Sequence, residues 1–154
     1  MFAIVRVRSP VKVNKDIEYT LKLLRLTRVN HCVLYPEDEK LKGMLFKVRN
    51  MVTYGEITKG TFKKLLLKRG YVYTDKGKLV KFKTQYTDEK KIDKLVDEIL
   101  SGKQKINDIN LKPVFRLKPP TKGYDREGIK KTFKEGGVLG YRADHINKLL
   151  LRMI

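Results

Sequence analysis

The stretch "FAIVRVR", residues 2–8, alternates along its length and predicts a β-strand near the start of the chain. Phe2, Ile4 and Arg6 fall on one face of that strand, and the residues between them fall on the other. Pro10 follows and ends the pattern. The chain therefore opens with a strand that carries apolar side chains on both of its faces.

Two helices and two further strands follow in alternation. In chain order they are "NKDIEYTLKLLRLT" (14–27), a helix capped by Asn14 and ending near Thr27; "HCVLY" (31–35), a strand stopped by Pro36; "EDEKLKGMLFKVRN" (37–50), a helix; and "MVTY" (51–54), a strand closed by Gly55. Both helices carry apolar residues at a spacing of three and four. The order β-α-β-α-β is thus complete by about residue 57, and we take 1–57 as an N-terminal core.

The remainder, 58–154, is predicted to be a C-terminal extension. Helices are expected near 58–69, 87–101 and 143–153, with Gly70 as a C-terminal cap of the first, Thr87 as the N-cap of the second and Asp144 as the cap of the third. Two short β-like pieces, "YVY" and "LVKF", flank the turn "TDKGK". Gly, Pro and cations without helical period fill 103–142, which predicts a basic loop segment that orders on an anionic partner.

Net charge is the strongest compositional feature. Thirty-six Lys and Arg face seventeen Asp and Glu, which gives a formal +19 and a pI near 10.0. An excess of this size repels itself in the compact state, so a polyanionic partner is expected, with nucleic acid preferred over an anionic membrane surface. The broken apolar run at the N-terminus and the lack of a long apolar stretch predict a cytoplasmic protein with no membrane partner.

The candidate RNA-binding residues are the cations that surround the predicted elements, with one histidine and one asparagine. They are Arg6, Arg8, Lys12, Lys15, Arg25, Arg28, His31, Lys42, Lys47, Arg49, Asn50, Lys63, Lys64, Lys68, Arg69, Arg116, Lys118, Lys122, Arg126, Lys130, Lys131 and Arg142. Phe115, Tyr124, Phe133 and Tyr141 are interleaved with the last of these, as base stacking on single-stranded RNA requires.

Catalysis is not expected. His31 and the single cysteine, Cys32, are neighbours on a predicted strand and therefore point to opposite faces. A zinc site needs about four ligands, and two histidines and one cysteine do not supply them. The glycines of "EGGVLGYR" (135–142) lack the context of a nucleotide-binding loop, and we interpret them as allowing backbone amides to approach an RNA phosphate. No cofactor or metal is predicted.

Several strings resemble the L-thirty family of large-subunit ribosomal proteins, whose eukaryotic members are named L-seven. They are "YTLKLLRLTRVNHCVLYP" (19–36), "KGMLFKVRNMVTYGEI" (42–57), "TFKKLLLKRG" (61–70), "PVFRLKPPTKG" (113–123) and "KEGGVLGYRADHINKLLLRM" (134–153), whereas 71–110 is the least distinctive part. Bacterial members stop near the third strand and eukaryotic members carry a long basic helix before the first, so the chain is most similar to the archaeal long form.

The resemblance implies an α+β fold: a small β-α-β-α-β core sheet with two helices on one face, ferredoxin-like in style, plus a C-terminal subdomain. It implies a non-catalytic protein that binds and helps to fold and assemble large-subunit ribosomal RNA. The family motifs fall on Arg25, Arg28, His31, Lys42, Lys47, Arg49 and Asn50, with Lys118, Lys122 and Arg142 in the C-terminal segment.

The expected partners follow from that role. They are large-subunit ribosomal RNA and neighbouring large-subunit proteins, with proximity to the small ribosomal RNA of the large subunit, and the chain would be a monomer within a cytoplasmic ribosome. Two alternatives stay open from the residues themselves: an RNA-processing or RNA-modifying enzyme, and a chromatin module that binds DNA without sequence specificity.

Overall fold

A computed structural model describes residues 1–9, 11, 13–74, 77–86, 88–102, 104 and 106–154. Its elements, in chain order, are β1 (Phe2–Arg6), α1 (Lys15–Leu23), β2 (His31–Tyr35), α2 (Glu39–Val48), β3 (Val52–Glu56), α3 (Lys59–Arg69), β4 (Tyr71–Tyr73), β5 (Leu79–Lys81), α4 (Phe82–Gln85), α5 (Glu89–Leu100), β6 (Val114–Arg116), β7 (Gly140–Tyr141) and α6 (His145–Met153). Short 3-10 turns cover Ile106–Ile109 and Phe133–Glu135. Pro10, Lys12, Thr87 and the Asp75 and Lys76 pair of the predicted turn lie outside the described residues.

Five strands form one mixed sheet in the order β6-β2-β1-β3-β7. Strand β1 lies at its centre and pairs antiparallel with β2 and with β3, so that Ile4 faces Val33 on one side and Tyr54 on the other. At the edges, β6 pairs antiparallel with β2, and β7 pairs parallel with β3. Strands β4 and β5 form a separate antiparallel hairpin, as the two short β-like pieces predicted.

Helices cover both faces of this sheet. One face buries Phe2, Ile4 and Val33 against apolar residues of α1 and α2, including Leu21 and Leu45. The opposite face, which carries Ala3, Val5 and Cys32, packs against residues of α3, α5 and α6. The predicted core with two helices on one face is therefore confirmed, and the C-terminal helices supply the second layer.

The segment 103–142 differs from the expectation of a basic loop. It contributes both edge strands of the five-stranded sheet: Phe115 of β6 faces Cys32, and Tyr141 of β7 faces Tyr54. These strands are two and three residues long, too short for a period to show in the sequence. The division at residue 57 stays a prediction, and the sheet contains strands from both sides of it.

Helix ends follow the sequence in part. The Asn14 side chain accepts a hydrogen bond from the Asp16 amide, which confirms the predicted cap of α1. That helix ends at Leu23 and not near Thr27, because Arg25 adopts a positive φ of 59° that a helix cannot continue through. Gly70 follows α3 as predicted but is extended, with φ −70° and ψ 139°, and not left-handed. A Cβ there would collide with the Leu66 carbonyl, so its role is close packing.

Of the predicted caps of the last two long helices, only one lies among the described residues. Thr87 is outside them, and Asp88 directly precedes α5. Asp144 precedes α6 as predicted, but its side chain makes no capping hydrogen bond. Helix α5 nevertheless buries its apolar stripe, Ile92, Val96 and Ile99, against the C-terminal face of the core. This packing stabilises the helix against the core.

Gly55 lies inside β3 and does not end it, contrary to the prediction. A Cβ at this position would overlap the backbone carbonyl of Ala143 and touch Ile146, so only glycine lets the start of α6 lie directly on the sheet. In contrast, Gly43 in α2 is exposed and has open space where a Cβ would be.

We expect Gly55→Ala to lower the free energy of unfolding by about 1–3 kcal/mol, because backbone atoms would have to move apart. Gly43→Ala is the matched control and should raise it by about 0.5–1 kcal/mol, because alanine favours a helix over glycine. Urea denaturation of both variants measures the difference. Equal stability of the two would contradict the close approach of α6 to β3.

Candidate nucleic-acid interface

His31 and Cys32 lie on opposite faces of β2. The Cys32 side chain is fully buried beneath the C-terminal helices, and burial raises the pKa of its thiol to about 12. The His31 ring faces the other way and lies 3.4 Å from the Thr27 hydroxyl through Nδ1. The pair therefore has no nucleophile–base geometry. Within the described part of the chain, no three His, Cys, Asp or Glu residues are placed to hold a metal ion, and no helix has the length and apolar character needed to span a bilayer.

Most of the predicted RNA-binding cations lie on the surface without an acidic partner among the described residues. These are Arg8, Lys15, Arg25, Arg28, Lys47, Arg49, Lys64, Lys68, Arg116, Lys118, Lys122, Arg126 and Lys130, and Asn50 is likewise exposed. They are spread over the segment between β1 and α1, α1 and the loop after it, α2 and the residues directly after it, α3, the edge strand β6 and the loop that follows β6. Lys12 lies outside the described residues.

Three other candidates form ion pairs at the surface. Lys42 pairs with Glu37 at 2.7 Å, Lys63 with Asp93 at 2.8 Å, and Lys131 with Glu127 at 2.8 Å. Glu37 raises the pKa of Lys42 through their hydrogen bond. Pairs of this kind contribute only about 0–1 kcal/mol in water, so a phosphate can compete for these lysines.

Arg6 is the first correction, because the structure places it in the interior. Its side chain is 2% exposed, and its Nη1 donates to the carbonyl oxygens of Leu26 at 2.7 Å and Thr27 at 3.0 Å. The Nε donates to the Arg8 carbonyl at 3.0 Å, and burial lowers the pKa of the guanidinium. Arg6 thus ties the end of β1 to the loop after α1 and is not presented to RNA. Its place on the face of Phe2 and Ile4 was the signal in the sequence.

Arg142 is the second correction. It is 3% exposed and forms an ion pair with Asp125 at 2.7 Å, while its guanidinium lies 4.7 Å from the centre of the Phe133 ring. Asp125 also approaches Arg152 at 3.4 Å. Burial lowers the pKa of Arg142 and the contact with Asp125 opposes that shift. This network fastens the loop before β7 to α6, so the residue has a structural role.

The Gly-rich segment does not offer its amides to a phosphate either. The amides of Gly136, Gly137, Val138 and Leu139 all donate to carbonyl oxygens within 128–133. A Cβ on Gly137 would collide with the backbone of Lys131, which explains the glycine. The amides of Gly136 and Gly137 are therefore used inside the protein, which does not support the interpretation of these two glycines as an approach for RNA.

Of the four interleaved aromatic residues, one lies in the core. Phe115 is fully buried beneath the C-terminal helices, which excludes it from base stacking. The Tyr124 hydroxyl donates to Asn30 at 3.1 Å, and the Phe133 ring lies beneath Arg142. Only Tyr141 is well exposed, with its hydroxyl donating to Glu56 at 2.6 Å.

Helix α2 presents an aromatic side chain that the sequence reasoning missed. Phe46 is 67% exposed, and the Arg49 guanidinium lies 4.4 Å from the centre of its ring. Lys47 is exposed beside them. An exposed ring with a stacked guanidinium is a surface on which a base can stack while cations contact the backbone. Phe46 interrupts the apolar spacing of α2, and that irregularity was the signal.

The chain matches known proteins over nearly its whole length. The family described as Ribosomal protein L30p/L7e matches residues 2–52, from β1 to the start of β3. The chain belongs to this ribosomal protein family. It is 50% identical over 153 residues to the large ribosomal subunit protein uL30 of Methanococcus vannielii, covering 99% of both chains. It is 45% identical over 157 residues to that of Nanoarchaeum equitans, covering 100% of this chain and 99% of the relative.

Membership of the L30p/L7e family confirms the resemblance to the L-thirty family, and these relatives are archaeal, as the long form predicted. The alignment with them includes the weakly distinctive part of the chain between residues 71 and 110. The hairpin and α5 are built by this aligned part of the chain.

Arg142→Gln should lower the free energy of unfolding by about 2–3 kcal/mol, because it leaves Asp125 facing Arg152 alone in a partly buried loop. Lys131→Gln removes an exposed pair of the same kind and should change stability by less than about 1 kcal/mol. Thermal or urea unfolding compares the two variants. If Arg142→Gln is as stable as the control, the network around Asp125 does not hold the loop.

Proposed function

We propose that this protein is a structural component of the large ribosomal subunit that binds large-subunit ribosomal RNA and helps it to fold and assemble. The observation that carries the proposal is the set of surface lysines and arginines without acidic partners, on a chain of charge +19 that belongs to a ribosomal protein family. The full-length relatives are named as large-subunit proteins, which supports the subunit assignment.

The physical mechanism is neutralisation of backbone phosphates by cations that the fold holds in place. Each phosphate contact releases condensed counterions, so binding is driven by their release and weakens as salt is added. Exposed cations on α1, α2 and α3 share rigid helices, whereas Lys118, Lys122 and Arg126 lie on the loop after β6. The surface is therefore arranged in advance both on the helices and along the loop, whose Lys118 and Thr121 amides donate to carbonyl oxygens of Met153 and Arg152.

The remaining expectations belong to the same proposal. We infer that the partners are large-subunit ribosomal RNA and neighbouring large-subunit proteins, with the small ribosomal RNA of that subunit nearby. The protein would act as a monomer within cytoplasmic ribosomes and as a non-enzyme. An RNA-modifying enzyme would need an acid–base or nucleophile pair, and His31 and Cys32, the adjacent candidates, lie on opposite faces.

Sedimentation of an extract of the source cells on a sucrose gradient tests the role directly. The chain, followed by antibody, should sediment with the large subunit at low and at moderate salt. Recovery only at the top of the gradient would contradict a ribosomal role.

Binding of the purified chain to deproteinised large-subunit ribosomal RNA should have a steep salt dependence. If about six phosphates are neutralised, the slope of log affinity against log salt is roughly −5. Competition with double-stranded DNA at one salt concentration separates RNA binding from a chromatin role. A slope near zero, or a preference for the DNA, would count against the proposal.

The double variant Lys47→Ala, Arg49→Ala should bind the RNA about tenfold more weakly and should lower the magnitude of the slope by about 2, because two phosphate contacts are lost. Both residues lie outside the core, so the unfolding midpoint should stay close to that of the parent chain. Lys90→Ala, Lys94→Ala on the outer face of α5 is the control of equal charge. Equal affinities of the two double variants would remove α2 from the interface.

A further inference from the structure

The chain crosses from one sheet to the other just before β6. Residues 110–112 run beside β4: the Tyr73 amide donates to the Asn110 carbonyl at 2.9 Å, and the Lys112 amide donates to the Tyr71 carbonyl at 2.8 Å. Two residues later the chain enters β6, where it pairs with β2. The β4–β5 hairpin and the edge of the large sheet therefore flank the same short segment, and a cleft lies between them.

This cleft has a volume of about 270 Å³. Its lining residues are Arg69, Tyr71, Leu79, Lys112, Val114 and Arg116. Three of the six are cations and none is an acid. The volume lies just below the roughly 300–1,000 Å³ of pockets that hold drug-sized ligands, so the cleft admits a group the size of a phosphate with its ribose.

The cations of the cleft differ in how the protein engages them. Arg69 donates through Nε at 3.1 Å and Nη2 at 2.8 Å to the main-chain oxygen of Ile154, which orients its guanidinium and leaves Nη1 without a hydrogen bond to a described residue. Lys112 and Arg116 form no ion pair with a described carboxylate. A guanidinium oriented by the main chain beside two cations that form no ion pair is a suitable arrangement for an oxyanion.

His31, on the neighbouring strand β2, lies close to the same group of positive charges. It faces Arg116 in the register of β2 with β6. Burial lowers the pKa of His31, and four cations lower it further: Arg116, Arg28, Arg6 and Lys112. No described carboxylate acts in the opposite direction. The region beside the cleft is therefore a local excess of positive charge in the free protein.

We propose that the cleft between β6 and the β4–β5 hairpin binds a backbone phosphodiester of ribosomal RNA, with Arg69, Lys112 and Arg116 as its anion contacts. This inference rests on the proposed function and adds to it a specific seat for one phosphate. It also assigns a role to Lys112, which the sequence did not single out, and to the hairpin, which forms the second wall. Tyr71, 36% exposed on that wall, borders the ribose side of the seat.

The first test compares RNA binding of Lys112→Gln, Arg116→Gln with the control Lys90→Gln, Lys94→Gln, which removes the same charge from the outer face of α5. Arg69 is left unchanged because it also holds Ile154. Against deproteinised large-subunit RNA of Methanococcus vannielii, the source of the relative described above, the cleft variant should bind about tenfold more weakly. Its salt slope should fall in magnitude by about 2, whereas the control should lose less than about threefold in affinity.

The second test uses the imidazole of His31 as a reporter in NMR pH titrations. Sulfate replaces chloride at constant ionic strength as a probe that does not titrate between pH 5 and 8. An anion in the cleft should raise the pKa of His31 above its value in chloride. In the cleft variant, the pKa of His31 should start higher, because two nearby cations are gone, and should no longer respond to sulfate.

The outcomes separate the two proposals. Weakened RNA binding in the cleft variant alone supports the phosphodiester seat, whether or not free sulfate binds there. Equal RNA binding of the cleft variant and the control overturns it, even if sulfate shifts His31, since the cleft then holds a free anion only. Failure of the parent chain and both variants alike to bind the RNA overturns the proposed function, and the seat with it.

Discussion

Strand β1 is buried on both of its faces, and this constraint shapes the rest of the molecule. All five residues from Phe2 to Arg6 are enclosed, which is possible only if helices lie on each side of the sheet. Helices α1 and α2 cover one face, but no element before residue 57 covers the other. At about 25 cal/mol per Å² of apolar surface, an uncovered sheet face of this kind would be strongly unfavourable in water. The C-terminal helices are therefore part of the core.

That arrangement decides where cations can lie. Both faces of the central sheet are occupied by apolar packing, so charged side chains are restricted to the outer surfaces of the helices, the loops and the sheet edges. Arg6 is an exception, because it lies on the central strand. Its burial is tolerated because three backbone carbonyls accept hydrogen bonds from its guanidinium. Arg142 is buried in the same way, with Asp125 as its partner.

The sequence could predict what depends on local pattern. Alternation in "FAIVRVR" and the three-and-four spacing of apolar residues in α1, α2 and α5 were sufficient to predict these elements. Five stretches of sequence were sufficient to identify the family by resemblance. The edge strands were not accessible in this way, because two or three residues carry no period. Phe115 and Tyr141 become strand residues through pairing with Cys32 and Tyr54, which are 83 and 87 positions away. Burial of Arg142 likewise depends on Asp125, 17 positions away, which only the tertiary fold brings near.

In the candidate interface, too, some features follow from local sequence pattern and others only from the tertiary fold. Exposed cations such as Lys47 and Arg49 follow from the helical period, because a residue off the apolar stripe points to solvent. The cleft beside β6 does not, because its walls come from α3, the β4–β5 hairpin and the segment 112–116. Lys112 and Arg116 in this cleft have no ion-pair partner among the described residues, and like charges held together oppose folding. Elsewhere the fold pairs a buried arginine, Arg142, with Asp125. The cations beside β6 have no such carboxylate, as a binding site for an external anion requires.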